Sequence, residues 1–150
     1  MSVHINRIWG FENILHTGNG IRHRLIVTTG HTSIQVQPVK RRLRANFKVW
    51  CIEEIGASGT ICIGFNDMYS IEQIQQAIYT DELPSLMNEF TPEVGKFYYV
   101  PNGIANYIGP QMRILETAPV NETYRIYDWG RQCRQLHVSE GLAALIPNGF

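Results

Sequence analysis

The chain has 150 residues, the usual length of one domain and enough to bury a hydrophobic core. With 44% hydrophobic and 17% charged residues, its composition is that of an ordinary globular protein. The 13 Lys and Arg residues equal the 13 Asp and Glu residues in number, which excludes a net field that recruits nucleic acid or an anionic membrane. Any electrostatic function must therefore be local.

The three cysteines, Cys51, Cys62 and Cys133, are odd in number and show no C-x-x-C spacing. This pattern predicts free thiols and a reducing compartment rather than a disulfide framework. The N-terminal residues lack the apolar stretch of a signal peptide, and no later segment approaches the length and hydropathy of a membrane span. The sequence therefore predicts a cytoplasmic protein without a membrane partner.

Short β-rich runs dominate the chain and predict seven strands, at residues 24–28, 33–37, 47–52, 59–65, 96–100, 112–116 and 123–128. Turn residues at 56–59 predict that strands 47–52 and 59–65 form a hairpin. In the first of these strands, Lys48 and Trp50 share one face, while Phe47, Val49 and Cys51 share the other.

Three segments have helical patterns. Ser70 and Gln73 have the form of a capping box, and the apolar spacing that follows predicts a helix at 70–80. A second helix is predicted at 81–90, with Asp81 as its cap and Pro84 in its first turn. A terminal helix is predicted at 139–146, capped by Ser139. Together these elements predict a single domain over 1–150, a small β-barrel or sandwich with a helical insertion.

Two segments resemble the type I phosphomannose isomerases. Residues 95–109 are similar to the family segment G-D-x-x-Y-V-P-A-G-T-V-H-A-I-G, and residues 114–131 are similar to I-L-E-I-Q-Q-x-S-D-T-T-Y-R-V-Y-D-Y-D-R. Weaker similarities lie upstream, at residues 7–10, 33–38 and 48–50. The resemblance implies a mainly β, cupin-like (jelly-roll) barrel with a short helical insertion and a C-terminal helix, trimmed relative to full-length family members.

The resemblance also locates a site whose ligands have changed. The family binds one zinc ion through Gln and His in Q-V-H, Glu in E-x-W and His in G-T-V-H-A-I-G, and an Arg in T-Y-R holds the sugar. Gln35 and Arg125 keep two of these positions, while Gln37, Lys48 and Asn106 replace the other three ligands. Amides bind zinc poorly and an ammonium has no free lone pair. We therefore expect no metal and no cofactor.

The changed site predicts a metal-free, non-catalytic protein that binds a phosphorylated small molecule, either a sugar phosphate or a nucleotide-type ligand. Lys48 would restore the local charge of +1 that zinc and its ligands carry in the family, and Arg125 would add a second cation. The predicted ligand-binding residues are Gln35, Gln37, Lys48, Trp50, Asn106 and Arg125. Three alternatives without a binding role stay open at this point: that Lys48 points into water, that Gln35 and Gln37 face solvent, and that Arg125 pairs with Asp128 or Glu116.

Two other functions stay open as well. One is an active aldose–ketose (mannose-6-phosphate) isomerase in which Lys48 acts as base and Arg125 holds the substrate. The other is a structural protein that assembles into a homo-oligomer. The basic run 40–44 is interpreted as a solvated loop, because it lacks the interleaved aromatic residues typical of nucleic-acid binding.

Overall fold

A computed structural model describes residues 2–146. These residues form eleven strands, two α-helices and one short 3₁₀-helix. The strands are β1 (Val3–Arg7), β2 (Gly10–Gly18), β3 (Ile21–Thr28), β4 (Ile34–Val36), β5 (Phe47–Ile55), β6 (Ile61–Phe65), β7 (Met87–Phe90), β8 (Phe97–Pro101), β9 (Asn106–Ile108), β10 (Met112–Pro119) and β11 (Tyr124–Tyr127). The helices are α1 (Ile71–Tyr79) and α2 (Val138–Ala144), and the 3₁₀-helix is Leu83–Leu86. No helix within residues 2–146 is long and apolar enough to span a membrane.

The strands form two antiparallel sheets. The first sheet has the order β1-β2-β3-β10-β5-β8, and the second has the order β11-β4-β9-β6-β7. The chain passes repeatedly from one sheet to the other, which is the connectivity of a jelly-roll barrel rather than of a series of hairpins. The prediction of a mainly β, cupin-like barrel with two helical segments is confirmed.

Two apolar clusters fill the protein. One lies between the sheets and includes Trp50, Ile52, Ile61 and Ile114. The other lies on the outer face of the second sheet, where Ile34 and Val36 of β4 contact the buried side of α1 and the C-terminal segment. Because side chains alternate along a strand, Gln35 between those two residues points toward the first sheet.

The predicted helix at 70–80 is confirmed as α1, with both hydrogen bonds of the Ser70–Gln73 capping box. The predicted helix at 81–90 is wrong. Asp81 has φ +59°, which stops the helix there, and only a single 3₁₀ turn follows before β7. The segment is extended because β7 pairs with β6 and supplies hydrogen-bond partners along that edge.

The predicted hairpin of strands 47–52 and 59–65 is also wrong. Strand β5 has β10 on one edge and β8 on the other, so β6 lies in the opposite sheet. The turn at 56–59 does form, with Gly59 N donating to Gly56 O, but it carries the chain between the sheets. The estimate of seven strands was low because β1, β2, β7 and β9 were not recognised.

The C-terminal helix is confirmed as α2, although its N-cap is His137 rather than Ser139. Gly141 is where this helix lies closest to the second sheet. A Cβ added there would lie 2.2 Å from Cγ2 of Ile126 on β11. Only glycine therefore allows α2 to pack this closely.

We expect Gly141→Ala to destabilise the protein, although alanine favours a helix by about 1 kcal/mol. Overpacking against Ile126 costs about 1–3 kcal/mol, which exceeds the propensity gain over most of that range. Thermal unfolding should show a melting temperature a few degrees lower, since about 1 kcal/mol corresponds to roughly 2–4 °C at this size. Ala143→Gly, at an exposed position of the same helix, measures the propensity effect alone. A clear rise in melting temperature for Gly141→Ala would contradict the close packing.

Candidate functional site

A polar cavity of about 280 Å³ lies between the two sheets at one end of the barrel. Strands of both sheets supply its walls, and five arginines face two glutamates across it, leaving the lining with a net formal charge of +3. The lining residues are Arg7, Trp9, Glu12, Arg22, Arg24, Ile26, Thr32, Ser33, Gln35, Ile108, Glu116, Asn121, Thr123, Arg125 and Arg134. We call this space the arginine cavity.

Arg24 on β3 organises one side of the arginine cavity. Its Nε donates to Glu116 Oε1 at 2.7 Å, and its Nη1 donates to Glu12 Oε1 at 3.1 Å. Arg7 Nε donates to the second oxygen of Glu12 at 3.0 Å, and the Trp50 indole N–H donates to the second oxygen of Glu116 at 2.9 Å. Both carboxylates are therefore fully engaged.

The neighbouring cations keep these carboxylates ionised. Burial alone would raise the pKa of Glu116, but Arg24 and Lys48 beside it hold that pKa well below its usual range. For Glu12 the same balance applies, and Arg24 with Arg7 lowers its pKa. Since both groups are charged near neutral pH, they offset part of the positive charge of the cavity.

Three further arginines, Arg22, Arg125 and Arg134, have no acidic partner within 4 Å among residues 2–146. In that same part of the chain, the buried Nε atoms of Arg22 and Arg125 find no hydrogen-bond acceptor. Burial lowers the pKa of all three guanidinium groups, and the nearby arginines lower it further. These three residues are the uncompensated cations of the cavity.

Two of the residues predicted from sequence line the cavity. Gln35 on β4 and Arg125 on β11 are direct partners across neighbouring antiparallel strands, so their side chains lie side by side on the inner face. The suggested pairing of Arg125 with Asp128 or Glu116 does not form. Asp128 instead pairs with Arg131 at 2.7 Å.

Gln37 and Asn106 lie in the barrel wall beside the cavity. The Asn106 side-chain N–H donates to Gln37 Oε1 at 3.1 Å and to Ile104 O at 3.0 Å, and Gln37 Nε2 donates to Thr123 Oγ1 at 3.3 Å. Asn106 is completely buried, and its Oδ1 has no partner within the described residues. These two amides therefore bind mainly to one another and to the protein.

Lys48 and Trp50 share the inward face of β5, as predicted, and the alternative that Lys48 points into water is wrong. Lys48 is only 3% exposed, and its Nζ lies 3.8 Å from Glu116 Oε2 and 5.1 Å from the centre of the Trp50 ring. Neither residue is among those that line the arginine cavity. The local charge of +1 that the sequence predicted for Lys48 did not include Glu116, which offsets the Lys48 ammonium. The net positive charge of the cavity comes from its arginines instead.

The residues at the family's metal positions do not suit zinc. Gln37 and Asn106 hydrogen bond to each other, and Lys48 carries an ammonium beside a carboxylate. Within residues 2–146, no three His, Cys, Asp or Glu side chains come together as a set that could hold a metal ion. The remaining donors are amides, which bind zinc weakly.

Most of the residues that line the cavity were not predicted from the sequence. Glu12 lies on the unrecognised strand β2, and Arg134 lies in a loop that carries no sequence signal. Arg22 and Arg24 did carry a signal, since residues two apart on a strand share a face, but the predicted strand began at residue 24. No residue of the basic run 40–44 lines the cavity, although Lys40 pairs with Glu122, whose neighbours Asn121 and Thr123 do, and Arg41 is exposed.

Comparisons with known proteins agree on one fold. No family model matches the chain. Over 102 residues the chain is 29% identical to a mannose-6-phosphate isomerase of Streptococcus mutans and 28% identical to mannose-6-phosphate isomerase ManA of Bacillus subtilis. These alignments cover 64% of this chain but 32% of either relative, so the chain matches about a third of their length.

Solved structures extend the comparison over the whole barrel. A mannose 6-phosphate isomerase from Bacillus subtilis superposes with a TM-score of 0.85 at 18% identity, covering 100% of this chain and 68% of that one. The apo form of the Salmonella typhimurium mannose 6-phosphate isomerase gives a TM-score of 0.62 at 10% identity, covering 86% and 55% of the two chains. The described residues therefore share the barrel fold of these mannose 6-phosphate isomerase structures, and the sequence resembles the phosphomannose isomerase cupin core.

Proposed function

We propose that this protein is a metal-free, non-catalytic cupin that binds a phosphorylated small molecule in the arginine cavity. One observation carries the proposal: Arg22, Arg125 and Arg134 line one cavity without an acidic partner among residues 2–146. A phosphate monoester carries a charge of about −1.5 to −2 at pH 7 and offers three acceptor oxygens. Guanidinium groups bind such oxygens through paired, charge-assisted hydrogen bonds.

The size and the remaining lining favour a sugar phosphate over a nucleotide. The volume of about 280 Å³ lies just below the range of roughly 300–1,000 Å³ that is typical of small-molecule sites. Thr32, Ser33, Gln35 and Thr123 add hydroxyl and amide groups to the wall. Such groups exchange hydrogen bonds with the hydroxyls of a sugar, while the arginines hold its phosphate.

The other residues predicted to bind ligand do not line the cavity but hold the side chains and the strand that do. Trp50 and Lys48 hold Glu116, which orients Arg24, and Gln37 with Asn106 holds the strand that carries Gln35. Arg24 and Gln35 would then be in position before an anion arrives, which lowers the cost of ordering them.

We expect Arg125→Ala to weaken the binding of mannose 6-phosphate or fructose 6-phosphate at least tenfold in titration calorimetry. A hydrogen bond to a charged group contributes about 1.5–3 kcal/mol, and about 1.4 kcal/mol corresponds to a factor of ten. Arg41→Ala, in the exposed loop, is the matched control and should bind like the wild type. The absence of binding at millimolar concentration, or equal affinity in both variants, would overturn the proposal.

The names of the curated relatives make an isomerase the second candidate. Against it, Lys48 is the base that such a reaction would need, yet its side chain is 4% exposed and lies beside Glu116 rather than at the cavity surface. A base must come within hydrogen-bond reach of the proton it removes.

We therefore expect no conversion of mannose 6-phosphate to fructose 6-phosphate above background, with or without added zinc. The assay is run at the concentration at which calorimetry shows saturation, so that failure to bind and failure to react are distinguished. Stoichiometric zinc retained after dialysis, together with turnover, would replace the proposal with the isomerase.

The burial of Lys48 gives a separate prediction of pH dependence. Burial lowers the pKa of Lys48 to about 8, Glu116 opposes this shift, and Arg24 and Arg22 add to it. Below pH 8 the lysine is charged in the folded and unfolded states, so the full cost of burying the charge is present. Between about pH 8 and 10.5 only the folded protein releases the proton, so its relative stability rises.

The free energy of unfolding of the wild type, measured relative to Lys48→Met, should rise by up to about 3 kcal/mol across that interval. Taking the difference removes the titration of tyrosines and cysteines that both proteins share. Lys96→Met, at an exposed lysine, should follow the wild-type curve. Parallel curves for the wild type and Lys48→Met would show that Lys48 does not titrate in this interval.

A further inference from the structure

Strand register places the charged residues of the first sheet at successive levels along the arginine cavity. Arg22 and Arg24 are two residues apart on β3, so they share a face and their Cα atoms lie about 6.7 Å apart. Glu12 on β2 is paired with the residue two positions beyond Arg24. Arg7 on β1 is paired with the first residue of β2, one level further. The order along the cavity is therefore Arg22, Arg24, Glu12 and Arg7.

The carboxylate of Glu12 divides this row of cations. One of its oxygens accepts a hydrogen bond from Arg7 and the other accepts one from Arg24. Although burial opposes the shift, these two arginines lower the pKa of Glu12 and keep it ionised. An anion is repelled by that carboxylate and attracted to the arginines on either side of it. The positive charge of the cavity therefore has two ends, one on each side of Glu12.

Two of the three uncompensated arginines lie at the end marked by Arg7. Arg134 borders both the arginine cavity and an adjoining cavity of about 180 Å³, and Arg7 and Trp9 line both spaces as well. Burial lowers the pKa of Arg134, and Arg125 and Arg7 lower it further. After burial, Arg7 is also the main cause that lowers the pKa of Arg125. We call Arg125 and Arg134, beside Arg7, the Arg134 end.

The third uncompensated arginine, Arg22, lies at the opposite end, which we call the Arg22 end. The chain closes the barrel there, because Val120 N donates to Gly20 O at 2.8 Å. Burial lowers the pKa of Arg22, Arg24 lowers it further, and Arg7 at the far end lowers it less. The buried Nε of Arg22 has no acceptor within residues 2–146. A phosphate at this end would supply one.

The charge of the cavity exceeds what one phosphate can offset. Its lining carries a net formal charge of +3, whereas one phosphate monoester carries about −1.5 to −2 at pH 7. A single phosphate would therefore leave a positive excess of about 1 in the cavity, and one end would keep its arginine without an anion. Two phosphates would offset the whole charge, which matters because an unpaired charge away from water is costly.

We propose that the ligand is a sugar bisphosphate that places one phosphate group at the Arg22 end and the other at the Arg134 end. This inference rests on the function proposed above and names its ligand class. Sugar hydroxyls would lie between the two ends, where they can donate hydrogen bonds to the Glu12 carboxylate that repels phosphate. A diphosphate, in which one oxygen joins both phosphorus atoms, keeps its charges too close together to occupy both ends. The cavity beside Arg134 gives room for the second phosphate.

Titration calorimetry of the full chain with fructose 1,6-bisphosphate, fructose 6-phosphate and inorganic pyrophosphate tests this proposal. We expect the wild type to bind the bisphosphate about tenfold or more tightly than the monophosphate. Arg22→Gln should weaken bisphosphate binding about tenfold and leave the other two affinities within about twofold of the wild type. The reason is that a single charged group prefers the Arg134 end, where two arginines are uncompensated. Arg134→Gln should weaken the binding of all three ligands.

Arg113→Gln is the matched control, because it removes the same charge from an exposed position of the first sheet. It should bind all three ligands like the wild type, and circular dichroism checks that each variant is folded. Equal wild-type affinities for bisphosphate and monophosphate, a comparison that needs no variant, would overturn the two-phosphate proposal alone. An equal loss of all three ligands in Arg22→Gln would do the same, since it indicates one cationic centre. If the wild type binds none of the three, the proposed function fails as well.

Discussion

The arrangement of this barrel depends on one largely buried guanidinium group, that of Arg24, between two carboxylates. Glu116 and Glu12 each accept a hydrogen bond from it, and Trp50 and Arg7 take up their remaining oxygens. Buried ion pairs of this kind add little net stability, because the cost of removing charges from water offsets their attraction. Removing one partner, however, leaves an uncompensated charge and costs about 3–5 kcal/mol. The network therefore serves to position the side chains of the cavity rather than to raise the free energy of unfolding.

Its effect is to divide the charges of the cavity into two groups. Arg7, Arg24 and Lys48 each pair with one or both of the two carboxylates, whereas Arg22 and Arg125 keep buried nitrogen atoms without an acceptor in the described part of the chain. A buried donor left unpaired costs about 1–3 kcal/mol. A bound anion would recover that energy, and this is the physical basis for placing a phosphate beside these two arginines.

The sequence predicted the barrel better than it predicted the cavity. Alternation in 47–52 correctly placed Lys48 and Trp50 on one face of their strand, because a period of two is set by strand geometry alone. Which face points inward depends on how the sheets pack. Alternation did not predict that Glu116 meets Lys48, since that contact depends on the register between β5 and β10, which only the folded sheet defines. The segment 81–90 failed for a similar reason: pairing with β6 overrode its local helical pattern.

The same alternation gives the first sheet two independent surfaces. On β10, Glu116 points into the cavity while its neighbour Leu115 points outward, and on β5 Trp50 points inward while Cys51 points outward. Sheet faces are separated by the backbone itself, so an outward side chain can change without moving an inward one. The first-sheet residues of the arginine cavity are inward side chains, so a variant at an outward position of this sheet leaves anion binding intact.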